Sequence, residues 1–281
     1  VPAVRRRRVS NRLAPSGCPL GGDEDTLNHG NETYRALAGC YDEMTEDVHY
    51  AAWADFLEKL FSRETRPLKT VLDLACGTGP MSFLLAARGY EMIGVDFSPE
   101  MLAIASNKTL AGEGIPPIFL CQAMEKLDLY GTVDACVCLL DSINHVTNPE
   151  KLYKALQRVH LFLEPGGLFV FDFHTHHHLE ALDGGFFLDE TEDDYCAWRT
   201  GYHPKRRVCT YVMDVFHREG SMWARETEIH EEKAYSPEEL TAYLQQVGFT
   251  QIRQYGNRKL RPPRAGEARI FFTARKAETT E

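Results

Sequence analysis

The hydrophobic period of this chain switches back and forth, and that constrains its fold more than any other feature. Residues 70–74, 91–95, 117–121, 133–139 and 168–173 are short apolar runs that read as buried strands. Around them lie residues 79–88, SPEMLAIASNK and PEKLYKALQRVHLFL, which read as helices. Ser98 and Asn148 stand as N-caps, each followed by a proline at the first helical position. Strands alternating with helices imply a mostly parallel, doubly wound α/β sheet covered on both faces.

After residue 173 the period becomes two. Residues 197–201, 208–216 and 223–233 alternate as half-buried antiparallel strands do, with turns at His203-Pro204-Lys205 and Glu219-Gly220-Ser221. The expected organisation is an α/β core over residues 31–173, an inserted antiparallel lid over 174–234, and completion of the core by 235–276. The completing elements are a helix capped by Ser236 and strands at 250–255 and 268–274. Upstream, Tyr50, Trp53, Ala54, Leu57 and Leu60 repeat at helical spacing within residues 34–61. Residues 1–30, rich in Arg, Pro, Gly and Ser, read as a disordered tail, and 277–281 as a C-terminal tail. Arg5 to Arg8 would also suit an RNA-touching arm.

A net charge of -10 argues against general attraction to nucleic acid or anionic membranes. No apolar run approaches the roughly 20 residues of a membrane helix, and no apolar segment follows the charged N-terminus. The eight cysteines are scattered without a CxxC pair, which points to reduced thiols and a cytoplasmic protein.

The first strand runs into VLDLACGTGP, and the cradle of an open α/β sheet is expected there, at Ala75–Gly79. Asp96 ends the second strand about 20 residues on, where a carboxylate reaches the ribose of an adenosine cofactor. A dinucleotide is disfavoured. The third glycine of its fingerprint is missing, and Asp73 would repel a pyrophosphate. A cofactor with ammonium and sulfonium charges would tolerate that carboxylate.

VLDLACGTG followed by GVDFSPEML resembles the cofactor motifs of class I S-adenosylmethionine (SAM) dependent methyltransferases. VDACVCLLDSINHV and LFLEPGGLFVFDF resemble that family's fourth and fifth strand regions, and the likeness runs over about residues 34–276. YDEMTEDVHYAAW and HEEKAYSPEEL are similar to uncharacterised bacterial members, and the layout also resembles N,N-dimethyltransferases of nucleotide-linked aminosugars. The resemblance implies a seven-stranded Rossmann-like sheet and SAM as cofactor. It places Asp73 and the Gly77, Thr78 and Gly79 backbone at the methionyl part, Asp96 at the ribose, and Phe97 beside the adenine. Tyr41 would lie near the methyl donor. Ala75, Met101, Met124, Leu140 and Asp141 join the expected cofactor contacts, with Trp53 walling the pocket. Ala123 stands where the family usually has an acidic residue for the adenine amino group; Gln122, Glu125 or the Met124 backbone would substitute.

Methyl transfer chiefly requires holding the acceptor in line and excluding water, and a base can remove a proton. The loop after the fourth strand offers Asp141, Ser142, Asn144 and His145. His145 is the expected base. Asn144 lacks the NPPY context of amino-methylating enzymes and suits either an acceptor contact or a turn. In HTHHH, residues 174–178, read as a loop, His174 or His176 would line the substrate pocket, with no metal site. Trp198 is the aromatic expected under the lid, and Glu231 and Glu232 could face a cationic acceptor or solvent. The expected acceptor is a small molecule, and the protein a monomer or homodimer. The alternatives are an RNA methyltransferase, for which Arg258, Lys259, Arg261 and Arg264 would add basic surface, and a non-catalytic SAM-binding protein.

Overall fold

A computed structural model describes residues 34–278. The N-terminal tail, Arg5 to Arg8 and Cys18 lie outside the described residues. The segment expected to be helical over 34–61 is broken: α1 (Tyr41–Met44) and α2 (Tyr50–Phe61) are separated by a 3-10 turn and a left-handed His49. The core then runs β1 (Thr70–Leu74), α3 (Pro80–Ala86), β2 (Glu91–Asp96), α4 (Pro99–Asn107), β3 (Ile118–Cys121), β4 (Val133–Cys138), α5 (Pro149–Phe162) and β5 (Leu163–His174). After α6 (His176–Ala181) comes the inserted hairpin array β6 (Phe186–Glu190), β7 (Asp194–His203), β8 (Val208–Glu219) and β9 (Met222–Lys233). The helix α7 (Pro237–Val247) and strands β10 (Phe249–Gly256) and β11 (Arg269–Lys276) finish the core.

The helix starts follow from local chemistry. Ser98 Oγ accepts from the Met101 amide, and Asn148 Oδ1 from those of Glu150 and Lys151. Ser236 and Glu239 form a reciprocal capping box on α7.

The core sheet has seven strands in the order β10-β11-β5-β4-β1-β2-β3, parallel from β5 to β3, with β11 antiparallel to both neighbours. The order reverses between β4 and β1, so the loops after those two strands open on one crevice. Two apolar layers sandwich the sheet. One packs Leu152, Leu156 and Leu240 of α5 and α7 against Leu72, Phe169 and Phe272. The other packs Trp53, Leu57 and Leu85 of α2 and α3 against Val71, Val137 and Phe271.

The second sheet is antiparallel, β6-β7-β8-β9. Its buried face carries Cys196, Tyr202, Cys209, Met213 and Val215, which pack on α6 and on Ala36, Leu37, Cys40 and Met44. Three local expectations are corrected. β5 begins at Leu163, since a register shift opposite Val133–Ala135 absorbs the EPGG stretch. β6 is an additional strand. HTHHH is no loop: Thr175 Oγ1 accepts from the His178 amide and starts a short helix. The seven described cysteines are free thiols, and only Cys121 among them is exposed. Among the described residues, no helix is long and apolar enough to cross a membrane.

Candidate active site

A cavity of about 1410 Å³ lies at the carboxyl edge of β1, β2 and β4 and extends to the second sheet. Its first wall is the loop after β1. Ala75 and Gly77 both have positive φ, +61° and +55°. Gly79 caps α3 at φ +78°, and a Cβ there would lie 2.9 Å from the Phe119 ring. Asp96 braces this loop. One carboxylate oxygen accepts from the Gly77 amide at 2.8 Å and the other from the Ser98 amide at 2.9 Å. Asp73 projects from β1 and accepts from Ser82 Oγ at 2.6 Å.

Burial raises both carboxyls, and that of Asp73 reaches about 6. Neither forms an ion pair with a lysine or arginine among the described residues. Two buried carboxylates on a cavity wall fit a ligand bearing a cation and hydroxyls, and are unsuited to a pyrophosphate.

Phe97, Met101, Ala123 and Met124 line the next part of the cavity. The Gln122 amide is spent on the Asp128 backbone, donating at 3.0 Å and accepting at 2.8 Å. Glu125 also lines the cavity and pairs with Lys151 at 3.7 Å.

The third wall is the loop after β4. Leu140 and Asp141 are both left-handed, φ 56° and 55°, and their amides donate to the buried Asp172 carboxylate at 2.8 and 3.1 Å. Leu140, Ser142 and His145 face the cavity. Tyr34 and Tyr41 enter from the N-terminal segment, with the Tyr34 hydroxyl 3.4 Å from His145 Nε2 and the Tyr34 ring edge-on to His230 at 4.3 Å.

That segment is held at both ends. Glu228 on β9 accepts from the amides of Tyr34, Ala36 and Leu37, and His217 bonds the Ala36 carbonyl at 3.0 Å. Asp42 accepts from Thr78 Oγ1 and pairs with Lys108, both at 2.5 Å.

The structure brings Tyr41, Asp73, Ala75, Gly77, Asp96, Phe97, Met101, Ala123, Met124, Leu140 and His145 to one cavity. It does not bring Trp53, Thr78, Gly79, Asp141, Asn144, His174, His176 or Trp198 to its wall. Trp53 is core, donating to the Val48 carbonyl at 3.1 Å. Thr78 is fully buried and turned to Asp42. Gly79 sits behind the loop against Phe119. Asn144 is fully buried: its side chain donates to the His174 and Lys233 carbonyls and accepts from the His174 amide, so it ties two strands together. Trp198 packs between two apolar clusters, and its indole N–H is buried without a hydrogen-bond partner among the described residues. His176 lies half-exposed on α6, near Tyr202.

Asp141 and His174 belong to a buried network with Arg269. The guanidinium donates to Asp141 and to His174 Nε2, both at 2.6 Å, and also binds Asp172. His174 Nδ1 meets Glu232 at 2.9 Å. Burial, the largest influence on His174, lowers its pKa, while Asp141 and Glu232 outweigh it and favour a second proton. The 2.6 Å contact from Arg269 nevertheless needs a lone pair on Nε2, so this geometry contains the neutral ring.

Asp141, His174 and Glu232 could group round a metal ion, but the guanidinium already sits against Asp141 and His174. A second group, Cys40, Asp194 and His217, is similarly engaged: His217 spends both ring nitrogens on Asp194 and Ala36, and burial pushes the Cys40 thiol up to about 12.

A parallel sheet with a reversed β11, a glycine loop after β1 and an acid ending β2 define the fold of the class I SAM-dependent methyltransferases. A family model for a methyltransferase domain matches residues 71–167. The Bacillus subtilis protein YqeM, named as a methyltransferase, is 31% identical over 248 residues, covering 88% of this chain and 98% of that protein. The chain belongs to this family, and its cofactor is SAM. A Clostridium acetobutylicum SAM-dependent methyltransferase superposes with a TM-score of 0.76 at 27% identity, over 87% of this chain and 99% of that one. The sugar N-methyltransferase KedS8 from Streptoalloteichus shares the fold, with a TM-score of 0.69 at 21% identity over 95% and 99% of the two chains.

Tyr34, His230, Glu228, Asp172 and Arg269 were not singled out for the site from sequence. Asp172 and Arg269 are adjacent through strand pairing, and Tyr34 and Glu228 through a docked segment. Neither relation leaves a local pattern. His230 has one weak signal, the IHEE run that alternates inward and outward on β9.

Proposed function

We propose that this chain methylates a nitrogen or oxygen atom of a small molecule held between the cofactor loop and the second sheet. The observation that carries this is the shared cavity. Asp73, Gly77 and Asp96 line one part of it, residues of the inserted sheet line another, and His145 stands on the same wall as Leu140. The sugar N-methyltransferase fold of KedS8 is consistent with such an acceptor.

When bound, SAM supplies an activated methyl group whose bond to sulfur breaks as the bond to the acceptor forms. In this reading Asp73 takes the methionyl ammonium and Asp96 the ribose hydroxyls. Phe97, Met101 and Met124 enclose the adenine. His145 accepts the acceptor's proton, with the Asp141 carboxylate 3.8 Å from its Nε2 favouring the imidazolium that forms. Tyr34, Tyr41 and the second sheet exclude water from the transfer.

The test is incubation with methyl-labelled SAM and a cell extract separated into metabolites, RNA and protein. Label in the metabolite fraction is expected. Label confined to RNA would refute the small-molecule reading.

A further inference from the structure

We infer that Arg269 is a positioning residue for methyl transfer. It fixes the left-handed turn at Leu140 and Asp141 and, through His174 and Glu232, ties that turn to the second sheet. This inference rests on the reading that the cavity takes SAM.

Two successive left-handed residues with side chains are a conformation the backbone avoids, so surrounding groups must impose it. Asp172 does so by accepting both turn amides. That leaves the Asp172 carboxylate, fully buried, close to the nearly buried Asp141 carboxylate, an arrangement that is untenable without a cation.

Arg269 is that cation. It binds both carboxylates through its planar fork and lies over the Trp53 ring, 5.2 Å from its centroid. The reversed β11 delivers it, for Arg269 pairs with His174 in register and Phe271 with Asp172. His174 then spends its second nitrogen on Glu232, which projects from β9 of the inserted sheet. A continuous chain of buried polar contacts thus runs from the second sheet to the turn that presents Leu140 and His145 to the cavity. None of Arg269, His174 and Glu232 lines that cavity.

The experiment measures S-adenosylhomocysteine binding by calorimetry for the wild type, Arg269→Lys, Glu232→Gln and the double variant. Circular dichroism defines a temperature at which all are folded, and melting midpoints are recorded in parallel. Arg269→Lys keeps the charge and loses the fork, so affinity should fall about tenfold while the fold persists. Glu232→Gln should weaken binding about threefold alone and add nothing in the Arg269→Lys background, as expected for residues acting through one network.

A folded Arg269→Lys protein that binds within twofold of wild type would overturn the inference, even with a lowered melting midpoint. So would full additivity of the two substitutions. Failure of the wild type to bind would instead overturn the assignment of the cavity to SAM. If Arg269→Lys does not fold, Glu232→Gln decides alone: unchanged affinity overturns the coupling, weakened affinity supports it.

Discussion

Asp73 makes the cofactor reading measurable through protons. Burial lifts its carboxyl to about 6, and the Ser82 hydroxyl bond offsets only part of that. A bound ammonium beside it would favour the anion and return the pKa well below 5. At pH 5 about one Asp73 in ten is ionised in the free protein, so binding there must first remove a proton. Affinity for S-adenosylhomocysteine should therefore fall about tenfold between pH 7.5 and pH 5, roughly 1.4 kcal/mol.

Calorimetry in buffers of different ionisation enthalpy would read nearly one proton released per binding event at pH 5, and almost none at pH 7.5. Asp73→Asn should remove most of that release. Equal proton release by wild type and variant would refute the placement of Asp73 beside a cation. The folded protein holds a proton that the unfolded chain has already lost between the ordinary 3.8 and about 6. Stability of the unliganded protein from this group falls as pH rises through that window, by about 3 kcal/mol in all. The difference in unfolding free energy between wild type and Asp73→Asn should track it.

Asp96→Ala removes the acceptor for the Gly77 amide as well as for the ribose, and S-adenosylhomocysteine affinity should fall about 100-fold by calorimetry. Unchanged affinity would sink the ribose placement. His145→Ala should lower turnover by roughly 10²–10⁴ near neutral pH. Full turnover at every pH would leave approximation alone as the catalytic device. Asn144→Ala should cost about 2–4 kcal/mol in denaturant unfolding, because buried strand groups lose their partners. A loss under 0.5 kcal/mol would show that water replaces the amide there.

The core strands and the helix caps were legible because their signals are local. Ser98, Asn148 and Ser236 each satisfy amides within three residues. The loop from Ala75 to Gly79 was legible for the same reason, as was Asp96 at the end of the next strand. The strand at Phe186–Glu190 was missed because it is only five residues long and follows a glycine pair. The histidine run concealed a helix whose start is one threonine hydroxyl. Asn144 and Trp53 looked like site residues because their positions in sequence adjoin the cavity; their side chains point into strand ties and core. Arg269 could not be found that way at all, since its importance arises from pairing with a strand about a hundred residues earlier.

The docked segment at residues 34–44 joins the two sheets. It contributes Tyr34 and Tyr41 to the cavity, yet it is fastened to Glu228 and His217 on one sheet and to Thr78 and Lys108 beside the other. The part of the cavity wall formed by Tyr34 and Tyr41 thus rests on bonds made outside the cavity, and a change at Glu228 or Asp42 would reshape it without touching whatever it holds.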